Sequence, residues 1–502
     1  MSSLSDRRDA SAPAEAAAGI ARADAEAVNA AGNRPLYEKR QQIYPKAVTG
    51  PWRTIKWAAM IVLLAVYYGT PFLSWPRGGT APDQAILVDF GSSRIYLGPV
   101  SIWPQEIHLV TGILVASALG LFLATALFGR IWCGYACPQT VWTDLFIAVE
   151  RLLEGDRNAR IRLDRQPWSV NKALRKGTKH LIWLLIALST GGWFVAYFHD
   201  ARELARTFFT GQAPPTAYLF AGLLTATTYV LAGTMREQVC TYMCPWPRIQ
   251  AAMMDREALS VTYRTDRGDP RGAHKAGQSW DGRGDCIDCR QCVAACPTGI
   301  DIREGMQMEC INCALCIDAC DAIMVRIDRP KGLIAWDNID NMERRRAGQP
   351  VRYRLIRGRT VFYAVALAIV LGVMAAALVT KSDTTLDVLR DRAPLFVQLS
   401  DGSVRNAYTV KLFNKAETDR VFVIGFEGIE NADVSAIGHD RGEPVRVTLA
   451  PDSPVSVRLL VHAEPDALAE RSTPVRITAT DTATGETTTT RSVFMRGGTE
   501  DE

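Results

Sequence analysis

The sequence predicts a multi-domain protein: an α-helical membrane part with five spans, a cysteine-rich insertion before the last span, and an all-β domain at the C-terminal end. Three observations support this fold class. Five apolar stretches reach the roughly 20 residues needed to cross a bilayer. All 12 cysteines of the 502-residue chain lie between Cys133 and Cys320. The residues after 383 alternate between apolar and polar side chains in short runs, as β-strands do.

The five apolar stretches are each predicted to form a transmembrane helix. They are Ile55–Trp75, His108–Gly129, His180–Phe198, Thr216–Met235 and Val361–Thr380. Buried helices of a soluble protein are the alternative, but five long stretches with so few charges are unusual in a soluble chain. The sequence therefore predicts that the chain lies in a lipid bilayer.

The distribution of basic residues predicts how the chain is oriented. Ten Lys and Arg residues lie between residues 130 and 179, and a further basic cluster precedes the fifth span. The loops at 76–107 and 199–215 carry only two basic residues each. Loops rich in Lys and Arg stay on the cytoplasmic side of a membrane. We therefore expect a protein of the bacterial inner membrane, with its N-terminus and the insertion in the cytoplasm and its C-terminus in the periplasm.

These boundaries divide the chain into five predicted parts. They are an Ala-rich, disordered tail at 1–33, four transmembrane helices at 34–235, a cytoplasmic insertion at 236–360 with its cysteine module at about 277–329, the fifth helix at 361–380, and a β-sandwich at 383–502. The β-sandwich contains no cysteine, so no disulfide crosslinks it.

The cysteine module has the spacing of a two-cluster ferredoxin. Two runs follow the pattern C-x2-C-x2-C-x3-C, and the first ends in Cys296-Pro297. In such proteins the fourth cysteine of each run ligates the other [4Fe-4S] cluster. The expected ligands are Cys286, Cys289, Cys292 and Cys320 for cluster one, and Cys310, Cys313, Cys316 and Cys296 for cluster two. Zinc ribbons use paired knuckles instead, and a cytoplasmic location disfavours disulfides.

The other four cysteines form a repeated element. Cys133-Gly-Tyr-Ala-Cys137-Pro follows the second span, and Cys240-Thr-Tyr-Met-Cys244-Pro follows the fourth. Both copies leave the membrane on the same face, so we call these four residues the membrane-face cysteines. Their soft thiolates suit Cu(I), zinc or iron–sulfur chemistry; structural cysteines packed beneath the headgroups are the alternative. No dinucleotide fingerprint or phosphate-binding loop is present, and we expect no nucleic-acid partner.

With these parts in order, the chain resembles the cytochrome c oxidase accessory protein family of membrane polyferredoxins, known as FixG, CcoG or RdxA. The resemblance extends from about Arg34 to Met495. It includes the Cys133–Pro138 element and the stretch Ser400–Tyr408, which opens the C-terminal domain of that family. The resemblance implies that the β-domain is immunoglobulin-like.

The resemblance also implies a function: assembly of a cbb3-type cytochrome c oxidase through reduction of Cu(II) to Cu(I). Its implied partners are the oxidase subunits or copper-delivery proteins, together with an electron donor that the sequence does not identify. We expect the ferredoxin module to store electrons and the membrane-face cysteines to be the copper or redox site. A quinol-oxidising subunit of another reductase and a redox-sensing assembly scaffold are the alternatives.

Overall fold

The computed structural model describes residues 20–29, 41–77, 81–274, 278–416, 418–439, 443–451, 453–464, 467 and 471–496. These residues fall into two compact units, one formed by the chain up to residue 374 without 74–83, the other by 74–83 and 375 onwards. The helices are α1 (Pro51–Gly69), α2 (Ile107–Phe128), α3 (Ile131–Tyr135), α4 (Pro138–Glu154), α5 (Arg157–Arg165), α6 (Val170–Val195), α7 (Ala201–Thr210), α8 (Pro215–Thr228), α9 (Trp246–Met253), α10 (Thr265–Gly268), α11 (Gln291–Ala295), α12 (Leu315–Arg326), α13 (Ile339–Arg346) and α14 (Gly358–Val379).

Four helical segments within the described ranges are long and apolar enough to cross a membrane. They are Pro51–Phe72, Pro104–Phe128, Pro215–Met235 and Gly358–Val379. They coincide with the first, second, fourth and fifth predicted spans. Few of their residues are buried inside the protein, as expected of helices whose apolar side chains face lipid.

The third predicted span, His180–Phe198, lies in α6 but is not among these four segments. The 26-residue helix α6 begins with a basic stretch that includes Lys172, Lys176 and Lys179. Its apolar part starts only after His180, so the helix offers a shorter apolar length than the other spans. A bilayer crossing by this third predicted span, and with it the total of five spans, therefore remains a prediction.

The N-terminal segment 20–29 differs from the predicted disordered tail. Ile20 and Ala25 are buried in the core of the cysteine module. The amide of Ala23 donates to the carbonyl of Cys289 at 2.9 Å, and that of Val28 donates to the carbonyl of Gly299 at 2.9 Å. The expectation of disorder is therefore wrong for these ten residues, because they cover apolar surface of the module; the remainder of 1–33 lies outside the described residues.

The cysteine module is built around a two-stranded sheet and two helices. A separate antiparallel sheet, formed by β1 (Ile86–Asp89), β2 (Arg94–Leu97) and β3 (Val100–Ile102), lies between the first two spans in the chain. In the module, β4 (Ser260–Tyr263) pairs antiparallel with β5 (Ile334–Asp337), and α11 packs against α12. Val261, Ile287, Ile300, Ile317 and Leu333 form much of the core in which the cysteines lie.

The second unit is a β-sandwich, as predicted. Its strands are β6 (Thr384–Arg390), β7 (Val397–Gln398), β8 (Val404–Asn414), β9 (Arg420–Glu427), β10 (Asp433–Ala436), β11 (Val445–Leu449), β12 (Pro454–Ala463), β13 (Ser472–Asp481) and β14 (Thr487–Met495). One sheet has the order β10-β12-β8-β6 with β7 on β8, and the other has the order β11-β9-β13-β14. Alternate residues of each long strand are buried between the sheets, including Tyr408, Phe422, Leu459 and Phe494.

Candidate functional site

The two cysteine runs of the module fold into the same loop. Between the cysteines of the first run, Asp288 and Arg290 have positive φ values of 52° and 53°; at the equivalent places of the second run, Asn312 and Ala314 have 52° and 61°. Such left-handed residues turn successive backbone N–H groups toward one concave side, an arrangement that many iron–sulfur sites use. The conformation recurs at four non-glycine residues, which indicates that the loops are shaped around a bound group.

Electrostatic neighbours show which cysteines lie together in the module. Burial raises the pKa of Cys320 well above its usual range, and the nearby thiols of Cys286, Cys289 and Cys292 raise it further. Burial likewise raises the pKa of Cys316, with added effects from Cys313, Cys310 and Cys296. The structure therefore brings the fourth cysteine of each run toward the other run.

The surroundings of these thiols are apolar. One cavity is lined by five of the cysteines together with the aliphatic side chains of Val261, Ile300, Ile302 and Ile311. Thiols in such a place stay protonated until a metal displaces the proton. The apolar shell would keep water from a bound cluster and so influence its reduction potential.

The membrane-face cysteines lie in a structural repeat that extends beyond the sequence pattern. The helix before each copy ends at a residue with positive φ: Gly129 at φ 56° and ψ −129°, and Arg236 at φ 46° and ψ −113°. The last cysteine of each copy, Cys137 or Cys244, is extended, and the next residue is a proline near the start of a new helix. The two copies therefore share one turn geometry.

Arg236 adopts a backbone conformation that favours glycine, and buried ion pairs hold it there. Its guanidinium donates to Glu150 at 3.0 Å, and Glu150 also contacts Arg160 at 2.8 Å and Lys179 at 3.5 Å. The Nε of Arg236 donates to the carbonyl of Gly233 at 2.8 Å. Arg236 lies between two π-helical turns, Tyr229–Met235 and Val239–Met243; such turns are frequent at functional sites.

The repeat brings all four membrane-face cysteines to one cavity of about 320 Å³. Burial raises the pKa of Cys133 to about 12, and the neighbouring thiols of Cys137, Cys240 and Cys244 contribute. Burial also raises the pKa of Cys240 to about 12, with contributions from Cys137 and Cys244. Each of the two copies therefore has its cysteines within electrostatic range of the other copy.

The cavity of the membrane-face cysteines adjoins the second cysteine run of the module. Cys310 and Ile311 line the same cavity, and Cys133 packs in one apolar cluster with Ile311 and Cys313. A Cβ atom on Gly134 would lie 2.7 Å from the carbonyl oxygen of Ile311. The hydroxyl of Tyr135 donates to the carbonyl of Cys313 at 3.3 Å, so the segment that carries Cys133 packs directly against the second cysteine run.

Two residues that the sequence analysis did not single out organise this junction. Arg130 is buried and donates to the carbonyls of Met308, of Cys310 at 3.3 Å and of Pro247 at 3.1 Å. Gln250 is buried and accepts a hydrogen bond from the Cys133 thiol at 3.1 Å. Neither lies within a cysteine motif, and only their contacts across the fold reveal their place.

The distances between the cysteine side chains indicate whether they can bind a single metal ion. In the part of the chain that the structure describes, no three His, Cys, Asp or Glu side chains are close enough to hold a single metal ion. A tetrahedral ion with metal–sulfur bonds of about 2.3 Å needs sulfurs within about 4 Å of one another. The cysteines converge without reaching that spacing.

Comparisons with known proteins agree with the order of these parts. A model of a 4Fe-4S dicluster domain matches residues 235–339, a model of a 4Fe-4S binding domain matches residues 110–154, and a model of the immunoglobulin-like C-terminal fold of FixG, described as a putative oxidoreductase, matches residues 374–497. The immunoglobulin-like prediction for the β-domain is confirmed.

Relatives extend over most of the chain. The nitrogen fixation protein FixG of Rhizobium meliloti is 46% identical over 93% of this chain and 95% of its own length. Proteins RdxA and RdxB of Cereibacter sphaeroides are 49% and 47% identical over 79% and 90% of this chain, and 84% and 95% of their own. A solved FixG-related protein from Vibrio parahaemolyticus is 25% identical, covers 23% of this chain and 98% of its own, and has a TM-score of 0.20. The chain belongs to the FixG/RdxA family of membrane iron–sulfur electron-transfer proteins.

Proposed function

We propose that the chain reduces Cu(II) to Cu(I) during assembly of a cbb3-type cytochrome c oxidase. The observation that carries the proposal is the contact between the two sets of cysteines. A module with two runs of cluster-type cysteines lies directly against the group of four membrane-face thiols, which line one cavity after two apolar helices. The reduction of Cu(II) to Cu(I) requires a one-electron donor, and iron–sulfur clusters pass electrons singly.

The proposed cluster ligands are those predicted from the spacing. Cluster one would be held by Cys286, Cys289, Cys292 and Cys320, and cluster two by Cys310, Cys313, Cys316 and Cys296. The grouping of their thiols supports this assignment. A bound [4Fe-4S] cluster stores and passes single electrons, while the aliphatic side chains around the thiols exclude water.

Copper is the substrate in this proposal. Each Cu(II) accepts one electron and leaves as Cu(I), and a one-electron donor of the cell restores the electron to the module. The membrane-face cysteines form the proposed redox site at which electrons leave the module toward copper. The proposed partners are oxidase subunits or the proteins that deliver copper to them.

The proposed location is the bacterial cytoplasmic membrane, with the N-terminus and the module in the cytoplasm and the β-domain in the periplasm. The basic residues at 130–179 and before the fifth span support this orientation. Alkaline phosphatase fused after Glu502 should be active in cells, and the same enzyme fused after Arg329 should be inactive. The reverse pattern would contradict the orientation.

Anaerobic copper reduction by the purified full-length protein tests the function. Protein reduced with dithionite and freed of excess reductant is mixed with Cu(II), and Cu(I) is trapped by a coloured chelator. We expect rapid formation of Cu(I) by the wild type and a loss of most of it in Cys289→Ser/Cys313→Ser, because both clusters lose a ligand. Tyr353→Phe, which changes an exposed side chain outside the cysteine elements, is the matched control.

Two further measurements, one on the purified protein and one in cells, distinguish the alternative functions. A tightly bound quinone, with no copper reduction, would favour a quinol-oxidising subunit of another reductase. Full oxidase assembly in cells that carry a variant without Cys286 and Cys310 would favour a redox-sensing scaffold. Either result would overturn the proposed copper reduction.

A further inference from the structure

The membrane-face cysteines are arranged for a larger group than one metal ion. All four thiols are within electrostatic range across the two copies, yet no three described ligand side chains are close enough for a single ion. We propose that Cys133, Cys137, Cys240 and Cys244 hold a third [4Fe-4S] cluster. In this arrangement the four thiolates carry a redox centre, and copper is reduced by it without being ligated by them.

The cavity has the size and lining that such a cluster needs. Its volume of about 320 Å³ is far larger than a bare ion requires, and its walls include Leu121, Trp132 and Ile311. Cys133 is buried, and Cys137, Cys240 and Cys244 are partly buried, so all four are shielded from bulk water while they face the cavity. An apolar wall around four thiolates is the usual environment of a cluster with a controlled potential.

A positive charge lies next to the proposed cluster, as a negatively charged cluster requires. The buried guanidinium of Arg130 interacts electrostatically with both Cys310 and Cys133. Four thiolates around an iron–sulfur core carry net negative charge, and burial of that charge requires nearby cations or N–H donors. Arg130 therefore lies where it can stabilise a cluster on the membrane-face cysteines and one on the second run of the module.

The comparison with known domains points in the same direction. The 4Fe-4S binding-domain model that matches residues 110–154 covers only two cysteines, Cys133 and Cys137. A [4Fe-4S] cluster takes four thiolate ligands, so this segment cannot complete a cluster alone. The second copy of the repeat, which has the same turn geometry, supplies Cys240 and Cys244.

The position of the proposed third cluster next to the second cysteine run indicates a role in electron transfer. Cys310 and Ile311 line its cavity, and Gly134 lies close to the backbone of Ile311 and Asn312. The third cluster would therefore neighbour cluster two and accept its electron, one at a time, on the way out of the module. Only this role rests on the proposed function; the existence of the cluster does not depend on copper reduction.

Iron and acid-labile sulfide counts on the full-length protein test the proposal. After anaerobic reconstitution and removal of unbound iron, three [4Fe-4S] clusters give about 12 irons and 12 sulfides per chain, whereas two give about 8 of each. Cys133→Ser/Cys240→Ser should lower the wild-type count by about four irons and remove one cluster signal from the electron paramagnetic resonance spectrum of the reduced protein. Tyr353→Phe, which changes an exposed side chain outside the cysteine elements, should keep the full count.

The wild-type count decides the question even if the double variant folds poorly. About 12 irons in the wild type, with about 8 left in the variant, supports the third cluster; if the variant loses all iron, the wild-type count of about 12 still supports it. A fully reconstituted wild type with about 8 irons and an unchanged variant would overturn it. A protein with about 12 irons that does not reduce Cu(II) would keep the third cluster and refute the proposed function.

Discussion

At the scale of single residues, Gly134 determines how closely the two sets of cysteines approach. A Cβ at this position would lie 2.7 Å from the carbonyl oxygen of Ile311 and 3.0 Å from that of Asn312. Both are backbone atoms of the second cysteine run, so they cannot move aside as a flexible side chain would. The absence of a side chain at residue 134 is therefore a condition for the contact through which electrons are proposed to pass.

Gly134→Ala should separate the membrane-face cysteines from the second run. We expect a loss of about 1–3 kcal/mol of stability, the usual cost of overpacking, and slower oxidation of the reduced protein by Cu(II). Thermal unfolding in detergent and the rate of Cu(I) formation measure the two effects. Gly120→Ala is the matched control, because a Cβ there meets no atom within 4 Å; equal behaviour of the two variants would contradict this role of Gly134.

At the scale of elements, the two copies of the cysteine repeat depend on different supports. The first copy has glycine at the left-handed position, Gly129, whereas the second has Arg236 and holds it with buried ion pairs to Glu150. The carboxylate of Glu150 also pairs with Arg160 and Lys179. The turn that leads to Cys240 therefore depends on a charged residue of α4, far away in the sequence.

Glu150→Gln should loosen this turn by removing the negative charge that Arg236, Arg160 and Lys179 share. Burial raises the pKa of Glu150, but Arg236, Arg160 and Lys179 outweigh it and lower the pKa below its ordinary value. The stabilisation is thus complete above about pH 4.3, the value of an unfolded glutamate, and is lost as the pH falls through the lower folded value. At pH 7 we expect a loss of about 3 kcal/mol.

The pH dependence of thermal unfolding checks this prediction. The difference between wild type and Glu150→Gln should be large at pH 7 and should shrink below pH 4. Glu203→Gln, which changes an exposed carboxylate of α7, should leave the unfolding temperature unchanged. A difference that is the same at both pH values would show that charge at residue 150 does not stabilise the turn.

The elements also show what the sequence could and could not predict. The spacing of the cysteines, the apolar stretches and the alternating runs predicted the module, four of the spans and the β-domain, because these features follow from local periodicity. Strand β14 begins with Thr487–Thr490, which has no apolar alternation and so gives no strand signal in the sequence. The segment 20–29 is held by contacts with distant residues, among them Cys289 and Gly299, which no local pattern reveals.

At the scale of the whole molecule, the unit that ends at residue 374 unites membrane helices and the cysteine module. Helix α1 packs against α12, and α2 continues through Gly129 into the first membrane-face element. The sequence predicted the separate cysteine sets but not their contact, since convergence depends on the tertiary packing of α3 against the loop around Ile311. We therefore propose that electrons pass through this contact, from the module to the membrane-face cysteines.

Rapid mixing of the reduced, full-length protein with Cu(II) tests this claim most directly. The visible absorbance of the clusters and the trapped Cu(I) are followed in the same anaerobic experiment. We predict that the clusters are oxidised at the rate at which Cu(I) forms, with one Cu(I) for each electron lost, and that Gly134→Ala slows both together. Clusters that remain reduced while Cu(I) appears, or that are oxidised without forming Cu(I), would contradict the account.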